Sequence, residues 1–164
     1  MLLKRLFTCI VVFSALSLAD VRAQQMVPFK GHWSGVTVAA DLSTFPVVGV
    51  LSEGEGRATR LGRYTMASPH TSNVFTGETI GEQIFTAANG DTLIAHCEGV
   101  PLPQPDGTVV GSLDCTFTSG TGRFEGAGGG YVFFLVATPQ AGVFPPIFET
   151  EAEITGSITT VGSR

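Results

Sequence analysis

Basic residues, cysteine and long apolar runs are all scarce in this 164-residue chain. Lys and Arg number 9, of which Lys4, Arg5 and Arg22 fall in the first 23 residues. Beyond residue 23, six basic residues face thirteen Asp/Glu, a net charge of −7. A phosphate backbone is bound by a basic face, so this balance argues against nucleic acid as a partner. No apolar run in that part approaches the roughly eighteen residues of a spanning helix, so no membrane span is expected. The three cysteines, Cys9, Cys97 and Cys115, are too few for a disulfide scaffold. His32, His70 and His96 share no HxH or HxxxH spacing, which leaves neither a metal site nor a cofactor to nominate. Helical i, i+3, i+4, i+7 periodicity is missing after residue 24.

What is present begins with a leader. Lys4 and Arg5 precede thirteen mostly apolar residues, Leu6 to Leu18, and Val21-Arg22-Ala23 puts small residues at −3 and −1 of a cleavage site. Residues 1–23 therefore read as a signal peptide and residues 24–164 as one domain, secreted or periplasmic. All 21 glycines lie after the leader. They fall between short runs rich in Thr, Val, Ile and Phe, the composition of an all-β protein with many tight turns.

Alternation and turn signals predict eight strands: about Phe29–Ala40, Val47–Thr59, Gly62–Thr71, Glu78–Ala88, Thr92–Val100, Thr108–Ser119, Phe124–Thr138 and Ile147–Thr159. Asn89-Gly90 is expected to make a two-residue type I′ turn. Eight strands in succession, with no linker, suggest an antiparallel up-and-down β-barrel or a two-sheet sandwich. Glu149, Glu151 and Glu153 share one face of the last strand, and three ionised carboxylates together belong outside. Ser112, Asp114, Thr116 and Thr118 are placed outside by the same alternation.

The turn Pro105-Asp106-Gly107 is centred on Asp106, and Cys97 and Cys115 each lie nine residues from it. A symmetric hairpin sets them opposite one another, so a cross-strand disulfide is expected in an exported protein. A catalytic thiol on Cys97 is the weaker reading, because His96 points to the other face of the strand. Arg57, Arg60 and Arg63 read as a solvated surface, since an unpaired arginine inside the barrel would be too costly. Gly120-Thr121-Gly122-Arg123-Phe124-Glu125-Gly126 has GxGxxxG spacing with a strand after it. A tight corner fits it better than a dinucleotide fingerprint, which needs a helix N-terminus. Gly54-Glu55-Gly56-Arg57 echoes that corner without making a repeat. No Ser/His/Asp triad or carboxylate pair is singled out by spacing, so no catalytic residue is nominated.

The segment Thr118 to Ala127 resembles the "GGTGxFxGAxG" corner of the allene oxide cyclase and dirigent barrels. The stretches Gly56–Tyr64, Thr86–Asp91 and Phe144–Phe148 fit an allene-oxide-cyclase-like pattern of secreted proteins in the same order. The resemblance implies an eight-stranded antiparallel barrel with a largely apolar cavity. In plants such barrels guide the cyclisation or coupling of reactive small molecules, as dimers or trimers, so a homo-oligomer is also implied. The plant cyclases use an acidic residue on the first strand, and Phe29 to Ala40 contains none.

Three readings of function follow. The first is an exported barrel that binds a small apolar molecule, with Trp33, Ala95, Phe133, Phe148 and Ala152 facing the interior. A larger residue at Ala95 or Ala152 would then fill the cavity. The second is a dirigent-like or cyclase-like guide of small-molecule cyclisation. The third is a structural or interaction barrel filled by its own side chains.

Overall fold

Strict alternation of inward and outward residues builds the wall, and the last strand shows it plainly. In Ile147–Thr160, Thr150, Ala152, Ile154 and Ile158 are buried, and Phe148 is half-buried on the same face. Glu149, Glu151 and Glu153 between them are exposed, as their charge requires. The computed structural model describes residues 25–160. Its strands are β1 (Gln25–Asp41), β2 (Val47–Ala58), β3 (Gly62–Asn73), β4 (Thr79–Ala87), β5 (Thr92–Gly99), β6 (Leu102–Pro103), β7 (Val109–Gly120), β8 (Gly129–Pro139) and β9 (Ile147–Thr160). The expected signal peptide, residues 1–23 with Cys9, lies outside the described residues.

Each long strand pairs antiparallel with its neighbours in chain order; β1 pairs with β9, and β5 pairs with β7. The eight long strands thus close on themselves, which leaves none of them as an edge strand and excludes the sandwich. β6 is an addition of two residues, hydrogen-bonded to β7 only, in the connection that leaves β5. The outward set Ser112, Asp114, Thr116 and Thr118 on β7 is exposed. Cys97 and Cys115 stand directly opposite in the β5–β7 register and form a disulfide. No helix among the described residues is long and apolar enough to cross a membrane.

Two local expectations are corrected. The β4–β5 connection is a three-residue loop, not a two-residue turn. The Gly90 N–H returns to the Ala87 carbonyl, Ala87 N–H bonds to the Asp91 carbonyl, and Gly90 alone takes a positive φ, +87°. That is a turn followed by a left-handed glycine, the form favoured for three-residue hairpins. The second correction is that β8 starts at Gly129, not at Phe124. The intervening segment is a corner with a 3₁₀ turn at Gly122–Phe124.

That corner closes one end of the barrel. Gly122 has φ +56°, and a Cβ there would collide with the Asp91 carboxylate, so glycine is required. The turn drops Phe124 into the core, where it is buried with Leu61, Leu93 and Phe117. Arg123 donates from Nη2 to the Leu61 carbonyl at 3.0 Å and lies 3.8 Å from Asp91, linking three hairpin turns across the floor. Hydrogen bonds from Asn89 and from the Arg123 N–H, in that order, hold the Asp91 carboxyl below its ordinary value. Above the floor, Phe29 meets the edges of Phe85 at 6.3 Å and Phe117 at 5.2 Å, with Tyr131 at 5.5 Å. Such edge-on packing is the preferred geometry of ring pairs.

Candidate binding cavity

The other half of the barrel is open. Beyond the level of Trp33 the interior becomes a cavity of about 580 Å³, whose wall is contributed by every long strand except β5. Small inward residues explain the space. Ser52, Ser68 and Ala137 line the open half, whereas Phe29, Phe85 and Phe117 fill the closed one. Loops between strands form the mouth and place Leu42, Phe45, Val74 and Phe144 around it. A shallower recess outside the wall, beside Lys30, His32 and Arg57, is bordered by exposed side chains and encloses nothing.

The polar groups of the cavity are mostly spent on one another. Thr37 Oγ1 lies 2.7 Å from Ser52 Oγ and 2.9 Å from Thr150 Oγ1, a chain of hydroxyls across β2, β1 and β9. Ser72 Oγ and Thr79 Oγ1 pair at 2.8 Å. At the base, Tyr131 OH donates to Gln83 Oε1 at 2.7 Å. Burial pushes the Tyr131 phenol well up, with Tyr64 nearby adding to the shift, and burial alone raises Tyr64. Both phenols therefore stay neutral donors. No Asp, Glu, Lys or Arg lines the cavity.

His70 is the one titratable side chain in the lining. Its Nδ1 sits 2.9 Å from the Ser68 carbonyl, and a carbonyl only accepts, so Nδ1 carries the proton. Burial lowers the imidazole below its ordinary 6.5, and the Ser68 hydrogen bond opposes this more weakly. Gly81 stands opposite on β4 and lets the two strands lie close, since a Cβ there would collide with His70 Cα and Cβ and the Pro69 carbonyl. In the unfolded chain an ordinary imidazole binds its proton first, so stability is full above about pH 6.5 and falls as the pH drops below it. The fall levels off once folded His70 itself titrates. Urea midpoints at about pH 7.5 and about pH 5.5 should differ less for His70→Gln than for the parent protein; an equal drop would show that other groups carry it.

Of the five interior residues expected from the sequence, Trp33, Phe133 and Phe148 line the cavity. Trp33 and Phe133 lie 6.0 Å apart. Ala95 and Ala152 are interior and buried in the packed core, away from the cavity lining, so enlarging either would overpack the core instead of filling the cavity. Sequence reasoning passed over His70, Ser68 and Gln83. The alternation Tyr64, Met66, Ser68, His70 on β3 was the available signal for the first two. Arg57, Arg60 and Arg63 are all exposed, with Arg60 in the β2–β3 turn at φ +70°. Among the described residues, no group of three or more His, Cys, Asp or Glu gathers to hold a metal ion.

No protein-family model matches the chain, and no curated protein matches its sequence. Among solved structures, a pterocarpan synthase dirigent protein superposes with a TM-score of 0.49 at 10% identity, covering 94% of this chain and 99% of that one.

Proposed function

We propose that the protein is an exported barrel that holds one small, neutral, apolar molecule in its open half. The observation that carries this reading is the cavity of about 580 Å³, enclosed by the barrel wall and lined without a single formal charge at neutral pH. Small-molecule sites are of this size and character, mostly apolar with a few placed polar groups. An anionic or cationic ligand would lose its hydration there and find no opposite charge. Export is supported by the leader pattern of residues 1–23 and by the Cys97–Cys115 disulfide, a bond that persists in oxidising compartments.

The test uses 1-aminoanthracene, a neutral fluorescent probe, with Trp33 as internal reporter, since it is the protein's one tryptophan and lines the cavity. Saturable binding with a change in Trp33 emission is the expected result. Ala137→Phe, which fills the cavity from β8, should weaken that binding by at least about tenfold, the equivalent of ~1.4 kcal/mol. Absence of saturable binding, or equal affinity in the filled variant, would overturn the proposal.

A further inference from the structure

We infer that His70 is the polar anchor of this cavity, and that the molecule it takes carries a hydroxyl group on an otherwise apolar, uncharged body. The inference rests on the binding reading above and names the ligand chemistry it requires. With Nδ1–H committed to the Ser68 carbonyl, Nε2 carries the lone pair and can only accept. The described residues supply no donor to Nε2. Two of the hydroxyls near it by register, Ser72 and Thr79, are paired with each other, and Thr79 Oγ1 also donates to the Gly77 carbonyl. His70 is half-buried and borders the cavity, so a donor group on a bound molecule can pair with Nε2 there. Gly81 lets β4 lie close against β3 at this level, since a Cβ there would meet His70 Cα and Cβ and the Pro69 carbonyl. Burial keeps the ring neutral and hence an acceptor around pH 7. A ligand carboxylate would bring a second acceptor to Nε2, and an ether or hydrocarbon would leave Nε2 unpaired.

Competition between 1-octanol and methyl octyl ether for the 1-aminoanthracene site tests this. The two differ in the hydroxyl donor, and their different hydrophobicity cancels when the affinity ratio is compared between proteins. The ratio of alcohol to ether affinity should fall by about fivefold to tenfold in His70→Phe, the scale of one neutral hydrogen bond, and much of it should be retained in His70→Gln, which keeps an acceptor. If His70→Phe does not fold, the parent protein answers alone. The ¹⁵N resonance of His70 Nε2 should move upfield with 1-octanol and stay in place with the ether. Probe binding with equal ratios in all three proteins, or an unmoved Nε2 resonance with bound octanol, would overturn the inference and leave the binding reading standing. Failure of the probe to bind the parent protein would remove both.

Discussion

Phe29→Ala should destabilise the barrel by about 3–5 kcal/mol, the range for a large aromatic lost from a packed core. It should nonetheless leave the affinity for 1-aminoanthracene within about twofold, far less than the ~1.4 kcal/mol of a tenfold change. Phe29 is fully buried and touches the three rings of Phe85, Phe117 and Tyr131, which come from β4, β7 and β8. Truncation would therefore leave a void bordered by four strands that are fixed to one another by the closed ladder. A closed barrel cannot collapse inward without breaking that ladder, so relaxation should recover little of the loss. The cavity is lined by other residues and Phe29 is not among them. Urea unfolding and a binding titration on the same variant check both halves of the statement. A loss under about 1 kcal/mol would show that the closed half is loosely packed. A parallel loss of binding would show that the two halves are not independent.

That division of the interior is where sequence and structure part. Alternation was legible because a barrel strand has one wet and one dry face, so Glu149, Glu151 and Glu153 settled the orientation of β9 from charge alone. The disulfide was legible because a hairpin centred on Asp106 fixes its register along both arms, from Pro103–Val109 back to Cys97–Cys115. Depth along the barrel axis was not legible. Ala95 and Trp33 both face inward, yet one lies in the packed core and the other at the edge of the cavity, because strand tilt and stagger set the level of each residue. His70 was hidden for the same reason. Its role depends on Ser68 before it and on Gly81 across the ladder, a pairing that spacing along the chain does not give. The corner at Thr118–Ala127, which carried the family resemblance, serves the floor at the end away from the mouth. Arg123, Phe124 and Asp91 there latch and plug the barrel, and none of them lines the cavity. A likeness in that corner therefore speaks for how the barrel closes, and the contents of the cavity follow from other residues.

Replacing both cysteines, Cys97→Ala with Cys115→Ala, should cost about 3 kcal/mol, the loop-closure entropy of a cross-link spanning this length of chain. The separation is 18 residues. Native contacts should change little, because the β5–β7 ladder is hydrogen-bonded on both sides of the bond, from Leu93–Gly120 to Gly99–Leu113. The effect belongs to the unfolded chain, which regains the freedom to spread the segment that carries β6. Two signatures separate this from a packing defect. The denaturant slope should rise, since an uncrosslinked chain exposes more surface on unfolding, and probe binding should persist in the folded variant. Reduction of the parent protein should reproduce the same drop in midpoint. The position of the bond gives the result a wider meaning. β5 and β7 are the neighbouring strands whose connection makes the longest excursion, through β6, before the ladder resumes. A staple there shortens the loop that must close before the barrel can form. If the midpoint does not move, the bond contributes nothing that folding needs, and its support for an oxidising compartment falls back on the leader alone.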